Sequence, residues 1–146
     1  MKPGFHFTGV TTPFYCNDGN GRFLFHKRSK KCRDEHGAWD AGGGRLGFGQ
    51  TPEESVLREV SEEYGCKGII QESLPLYSIV REWDGKKTHW IAIPFVIKVN
   101  PDEVKINDPD KMDELSWFTL NQLPDPLHTG MIQALAKYKE HFDKYR

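Results

Sequence analysis

The feature that most constrains the fold of this chain is a cluster of glycines that leads directly into a helix signal. Glycine occupies positions 42, 43, 44, 47 and 49, which is too dense for the interior of a helix or a strand. Thr51-Pro52-Glu53-Glu54 follows and combines an N-cap, a proline at the first helical position and a capping-box glutamate. This pattern predicts a loop with exposed backbone and then a helix over 52–64 that ends at Gly65.

The predicted helix carries three glutamates on one side. Glu59, Glu62 and Glu63 stand at positions i, i+3 and i+4, within an arc of roughly 100°. On an exposed helix, the repulsion between like charges costs roughly a few tenths of a kcal/mol per pair. A bound divalent cation would relieve that repulsion, and carboxylate oxygens suit Mg²⁺ or Mn²⁺. The alternative interpretation is a solvated acidic face without a ligand.

The rest of the chain predicts strands and one further helix. Threonine, valine and aromatic residues on both sides of a glycine-rich turn at 17–21 predict a β-hairpin of 7–15 with 22–27. Strands are also predicted over 68–80, 88–99 and 115–119, with Pro94 marking a bulge or an edge. Apolar residues at helical spacing predict a closing helix over 131–145. This element order predicts helices packed on a mixed sheet.

Length and composition narrow the class of protein. The 146 residues fit one domain spanning 1–146, and 37% hydrophobic residues suffice for a core. With a formal charge of −1, the molecule has no overall electrostatic attraction to a nucleic-acid polymer or a membrane. Three widely spaced cysteines argue against a disulfide framework, and no signal peptide or membrane span is predicted. We therefore expect a cytoplasmic protein that binds neither nucleic-acid polymers nor membranes.

The glycine loop and the glutamate helix together resemble the Nudix box, G-x5-E-x7-R-E-U-x-E-E-x-G-U, where U is bulky and aliphatic. The residues that match in type and spacing are Gly44, Arg58, Glu59, Val60, Glu62, Glu63 and Gly65. This resemblance implies an α/β/α sandwich with a mixed β-sheet. It also implies Mg²⁺-dependent or Mn²⁺-dependent hydrolysis of a nucleoside diphosphate linked to X, and homodimers are common in the family.

The resemblance also implies roles for individual residues. Glu59, Glu62 and Glu63 would be metal ligands, the Gly44 carbonyl a further ligand, and Arg58 the group that orients a carboxylate. Two positions depart from the pattern, because Gln50 replaces the first glutamate and Gly47 stands where many members carry another acid. Gln50 keeps a carbonyl acceptor but loses the charge and the basicity. The general base stays open between a box glutamate and the loop residues Glu82, Asp113 and Glu114.

Four residues outside the glutamate helix are candidates for binding the substrate. Arg28, next to His26 and Lys27 at the end of a predicted strand, would bind phosphate. Trp39 would either stack on a base or belong to the core. Gly43 lies in the glycine loop, and His89 would face the cleft from the start of an apolar strand.

Two other functional classes compete with hydrolysis. A nucleotide-sensing module that has kept the fold and lost turnover would account for Gln50 and Gly47. A relative of the isoprenoid diphosphate isomerases is suggested by Trp39-Asp40. The chain is short for that family and shows no catalytic cysteine in context, which argues against this hypothesis.

Overall fold

A computed structural model describes the backbone of all 146 residues and every side chain except that of Trp83. The elements follow one another along the described chain as strands interrupted by one long helix and closed by two shorter ones. They are β1 (Gly9–Thr11), β2 (Phe14–Asn17), β3 (Arg22–Arg28), β4 (Trp39–Asp40), α1 (Pro52–Tyr64), β5 (Ile69–Ser73), β6 (Tyr77–Trp83), β7 (Lys86–Ala92), β8 (Phe95–Lys98), β9 (Met112–Thr119), α2 (Thr129–Lys137) and α3 (Lys139–Asp143).

The strands form two mixed sheets. The larger sheet has the order β4-β3-β2-β8-β5, with β9 also paired to β3, and the smaller has the order β1-β7-β6. The pairs β2 with β8 and β1 with β7 are parallel, whereas the other pairs are antiparallel. The predicted mixed sheet is therefore confirmed, although it is divided in two.

The larger sheet lies between two helical layers. Side chains alternate across a strand, so Phe14 and Cys16 of β2 pack toward α1, while Tyr15 packs toward α2 and α3. Val56, Val60 and Tyr64 of α1 fill the first core, and Tyr138 and Phe142 at the C-terminal end fill the second. This layering confirms the predicted α/β/α sandwich.

The N-terminus of α1 is built as the sequence predicts. The Thr51 side chain accepts a hydrogen bond from the Glu54 amide, and the Glu54 side chain accepts one from the Thr51 amide. Gly65 ends the helix with φ of 65° and ψ of 19°, a left-handed conformation that glycine adopts without strain. The prediction of a helix over 52–64 is confirmed.

Several predicted strands are too long. The predicted strand over 68–80 is two strands in different sheets, separated at Pro75, and the predicted strand over 88–99 divides in the same way at Pro94. Proline lacks the N–H that a continuous ladder requires, so each proline lies where the chain crosses between the sheets. Pro94 therefore marks a change of sheet rather than the bulge or edge that was predicted.

The predicted hairpin and closing helix are also subdivided. Of the predicted first half of the hairpin, only β2 pairs with β3, because β1 pairs in parallel with β7. The closing helix divides at Tyr138, whose hydroxyl donates to the Pro75 carbonyl and whose backbone leaves the helical region. The last predicted strand begins at Met112 rather than at Leu115.

Candidate active site

Helix α1 positions two of the three glutamates inside the molecule. Val56 and Val60 are fully buried against the larger sheet and fix the rotation of the helix. Glu59 and Glu63 consequently have only 8% and 2% of their surface exposed. The Glu62 side chain is 56% exposed and lies on the outer side of the helix.

Glu63 carries a buried oxygen without a partner. Among the described side chains, its Oε2 has no hydrogen-bond partner, and the nearest cation is Lys111 Nζ at 3.9 Å. Burial raises the pKa of Glu63 to about 8, and the charge of Glu59 also raises it. Lys111 and a hydrogen bond from the Gly43 backbone act in the opposite direction. A buried carboxyl oxygen that accepts no hydrogen bond can instead coordinate a cation.

Gly44 lies directly against Glu59. A Cβ atom at position 44 would lie 2.1 Å from Glu59 Cδ and 2.4 Å from its Oε2, so only glycine leaves room for that carboxylate. The Gly44 carbonyl accepts hydrogen bonds from the Thr12 amide at 2.8 Å and from the Thr11 hydroxyl at 2.9 Å. Both lone pairs are thereby used. The carbonyl is thus engaged by β1 and the residue after it, and its role as a metal ligand stays a prediction.

Arg58 connects the loop to the glutamates. Its Nη1 lies 3.1 Å from Glu59 Oε1 and 3.1 and 3.2 Å from the two oxygens of Glu62. Its Nε donates to Gln50 Oε1 at 3.1 Å. These are the paired contacts predicted for Arg58, and its part in catalysis stays a prediction. Since Arg58 holds Glu62 on the outer side, the oxygens of the three glutamates do not all lie within 4.8 Å of one another among the described residues.

Gln50 is a partner of Arg58. Its side-chain oxygen accepts a hydrogen bond from Arg58 Nε, as a carboxylate oxygen at this position would. A Cβ atom at Gly47 would lie 2.4 Å from that oxygen, so glycine at 47 leaves the space in which Gln50 reaches Arg58. The two departures from the Nudix box therefore lie in contact with each other.

We predict a small effect of Gln50→Glu. The substitution turns a neutral acceptor for Arg58 into a charged one, which strengthens one hydrogen bond by about 1 kcal/mol. The rate of hydrolysis or its metal optimum should change by less than about tenfold. Steady-state kinetics against Mg²⁺ and Mn²⁺ measure this, and a gain of several orders of magnitude would show that glutamine cripples the natural protein.

A cleft of about 660 Å³ opens in front of Glu63. Two of the predicted substrate-binding residues, Arg28 and Gly43, line it. Arg28 is already engaged, because its guanidinium contacts Asp34 at 3.0 Å and Asp40 at 3.4 Å. The other cationic side chains that line the cleft are Lys31, Arg33, Arg81 and Lys111.

The other two predicted substrate-binding residues do not line this cleft. Trp39 packs edge-on against Phe118 at 5.3 Å in the core beside α2 and α3, so the core alternative is the one observed. His89 directs its two ring nitrogens to the Thr8 and Ser78 hydroxyls, at 2.7 and 2.8 Å. The substrate contacts predicted for Trp39 and His89 therefore have no support from this cleft and stay predictions.

His26 has a different environment from the one that its position suggests. It is 5% exposed, lines the cleft, and places Nδ1 2.8 Å from the Tyr64 hydroxyl. Burial lowers the pKa of His26 to about 4, with the charge of Arg28 acting in the same direction. Its imidazole is therefore neutral at pH 7 and brings no positive charge to a phosphate.

The suggested loop bases do not line the cleft at Glu63. Glu82 lines a neighbouring cavity together with Lys86 and Lys87, while Asp113 and Glu114 are exposed on β9. None of the three belongs to the residues that line the Glu63 cleft. The identity of the general base stays a prediction.

Sequence reasoning missed Lys111, the cation nearest to Glu63. Backbone hydrogen bonds from Lys105 to the Tyr64 carbonyl and from Asn107 to the Glu63 carbonyl tie this segment to the end of α1. Lys111 then follows within the same loop and reaches Glu63. A lone lysine in the acidic segment 107–114 was the signal that could have identified it.

A second group of metal-type side chains lies between the loop after β3 and the start of α2. Asp34, Glu35 and His128 place ligand atoms within 4.8 Å of one another. Their atoms already have partners, since Glu35 accepts from the Thr129 amide and hydroxyl and Asp34 contacts Arg28. These contacts hold the loop after β3 to the start of α2.

Comparison with known proteins identifies the family. The NUDIX domain model matches residues 8–138, which is most of the chain. The chain therefore belongs to the Nudix family. None of the helices that the structure describes is both long and apolar enough to cross a bilayer.

Relatives share part of their length with this chain. It is 29% identical over 115 residues to an RNA pyrophosphohydrolase of Acinetobacter baylyi, covering 68% of this chain and 66% of the relative. It is 35% identical over 99 residues to an ADP-ribose pyrophosphatase of Methanocaldococcus jannaschii, covering 66% and 56%. The crystal structure of a MutT NUDIX hydrolase from Burkholderia pseudomallei superimposes with a TM-score of 0.70 at 28% identity, covering 88% and 95%. The chain thus matches between about half and two thirds of the two curated relatives.

Proposed function

We propose that this chain is a Mg²⁺-dependent or Mn²⁺-dependent pyrophosphohydrolase that acts on a nucleoside diphosphate linked to a further group X. The products are a nucleoside monophosphate and phosphorylated X. The observation that carries the proposal is the buried, unpartnered Oε2 of Glu63 at a cleft lined by cationic side chains. The two curated relatives differ in the substrates they are named for, but both names refer to a pyrophosphate reaction.

The residues present fit a divalent metal. Glu63 offers an unused oxygen. Gly44, in the loop before α1, has no Cβ atom and so leaves the space that the Glu59 carboxylate occupies. Glu59 and Glu63 would hold the ion, with Glu62 as the third carboxylate on the same helix. When bound, the metal supplies neutralisation of phosphate charge and activation of water.

The chain's own residues bind and orient. Arg58 holds the Glu59 carboxylate in place through Nη1 and is itself held by Gln50. Lys111 partly balances the charge of Glu63. The arginines of the cleft attract the phosphates, and the neutral His26 lines the cleft without adding charge.

A catalytically impaired nucleotide-binding module is the second candidate. Gln50 favours it, since a neutral amide supplies neither a proton acceptor of carboxylate strength nor a charged metal ligand. The intact set of Arg58, Glu59, Glu62 and Glu63 favours turnover, because binding alone does not require every ligand. We further propose that residues 1–146 act as one domain in the cytosol.

A phosphate-release screen tests the proposed function. The wild type is assayed with Mg²⁺ and with Mn²⁺ on nucleoside triphosphates, dinucleoside polyphosphates, nucleotide sugars and ADP-ribose. Glu62→Gln and Glu63→Gln are assayed in parallel, and both should reduce turnover. Binding of nucleotides without turnover of any substrate would establish the binding module instead of the hydrolase.

A further inference from the structure

Two arginines at the cleft have no acidic partner. Arg33, in the loop after β3, and Arg81, on β6, both line the cleft that holds Gly43 and Glu63. Both also line an adjoining cavity of about 310 Å³ with Gly44 and Arg45. Among the described residues, neither guanidinium lies within 4.0 Å of a carboxylate.

Other cations of the same cleft are already paired. Arg28 contacts Asp34 and Asp40, and Lys31 contacts Asp110 at 2.9 Å. The charges of Arg33 and Arg81 therefore remain available to a ligand. Two free guanidinium groups in one concavity attract a polyanion and can each bind phosphate oxygens in a bidentate manner.

The cationic surface continues beyond the place where a diphosphate meets Glu63. Arg33 and Arg81 also line a cavity of about 750 Å³ with Lys2, Lys86 and Lys87. These cations outnumber the two acids of that cavity, which are Glu82 and Asp34, and Asp34 pairs with Arg28. Positive charge therefore extends from Gly43 past the two arginines toward the β6 to β7 turn. A ligand with only two phosphates would leave this extension unused.

We propose that Arg33 and Arg81 form a subsite for a third phosphate, so that the substrate is a small molecule with a linear triphosphate chain. This inference rests on the proposed function, because it assumes that the cleaved diphosphate lies at Gly43 and Glu63. The subsite makes the protein prefer triphosphates to nucleotide sugars, whose diphosphate ends in an uncharged group. Arg33 and Arg81 determine specificity, while the box residues serve every substrate.

Calorimetric titration without added metal tests the subsite independently of turnover. The probes are inorganic tripolyphosphate and pyrophosphate at low ionic strength. We expect the wild type to bind tripolyphosphate at least about tenfold more tightly, and the double variant Arg33→Gln/Arg81→Gln to reduce this ratio to within about threefold. Both residues are exposed, so the melting temperature should be unchanged.

A matched variant separates the subsite from the overall charge. Lys67→Gln removes a positive charge at a separate cavity beside Lys98 and should keep the wild-type ratio. Arg81→Lys keeps the charge without the planar fork and should lower the ratio partly. An unchanged ratio in the double variant, or no preference in the wild type, would overturn the subsite.

Two further results identify the ligand and keep the two proposals apart. Tighter binding of ATP than of tripolyphosphate assigns the triphosphate chain to a nucleotide, whereas equal binding assigns it to an inorganic polyphosphate. If the preference depends on the arginines but no substrate is hydrolysed with Mg²⁺ or Mn²⁺, the subsite stands and the hydrolase proposal fails.

Discussion

Glu63→Gln is expected to reduce pyrophosphate hydrolysis by at least about a hundredfold, since changes at the outer shell of a metal site already cause losses of about 10- to 100-fold. The variant keeps the size of the side chain but replaces the unpartnered oxygen by a weaker, uncharged ligand. Mn²⁺ affinity, measured by calorimetry, should fall together with the rate.

The same substitution should stabilise the metal-free protein. The pKa of Glu63 is raised from 4.5 to about 8 by burial, so the folded state resists losing the proton. In the wild type, stability is therefore lost as the pH rises from about 4.5 to about 8, where the unfolded carboxyl is ionised and the folded one is not. At pH 7.5 Glu63→Gln should raise the free energy of unfolding by roughly 2 to 4 kcal/mol.

Metal binding should show the opposite pH dependence. A cation requires the ionised carboxylate, so Mn²⁺ affinity of the wild type should rise by up to about tenfold per pH unit below pH 8 and then level off. Glu53→Gln is the matched control, because Glu53 is exposed in the first turn of the same helix. It should leave the rate and both pH profiles unchanged, and equal losses in the two variants would show that Glu63 has no special role.

Gly44→Ala is expected to reduce the rate by about 10- to 100-fold with little loss of stability. The new methyl group would lie 2.1 Å from Glu59 Cδ, so the carboxylate must move away from the loop. The end of a glutamate side chain can shift at low energetic cost, whereas the metal site cannot keep its geometry after such a shift. Urea unfolding and Mn²⁺ titration of the same preparation separate the two effects.

Gly43→Ala is the control for the stability measurement. A Cβ atom at position 43 would meet its nearest neighbour at 3.5 Å, which is an ordinary contact, so this loop tolerates a methyl group there. Gly44→Ala and Gly43→Ala should therefore unfold at similar urea concentrations. Wild-type Mn²⁺ affinity and rate in Gly44→Ala would contradict the place assigned to the Glu59 carboxylate.

The parts of the fold that the sequence predicted are determined by local interactions. The start of α1 depends on Thr51 and Glu54, three residues apart, and its end depends on the left-handed conformation of Gly65. The divisions at Pro75 and Pro94 were missed because each half-strand is apolar enough to read as one run. Which sheet each half joins depends on partners far away in the chain, such as Gly9 with Trp90.

The candidate site likewise contains residues that local sequence predicted and residues that only the fold brings together. The positions of Arg58, Glu59 and Glu63 followed from helix periodicity together with the resemblance. Helix periodicity alone placed Glu62 with the other two, but Arg58 holds it on the outer side. Arg33, Arg81 and Lys111 come from three separate segments, and only the folded chain brings them to one cleft.

The backbone hydrogen bonds between α1 and the loop that follows β8 affect how the pKa of Glu63 can vary in this fold. Asn107 is fixed to the carbonyl of Glu63, and Lys111 lies only four residues further along the chain. The reach of the ammonium group toward the carboxyl is therefore set by the length of this short tether. Inserting or deleting one residue between positions 107 and 111 would retune the proton affinity of Glu63 without any change in α1.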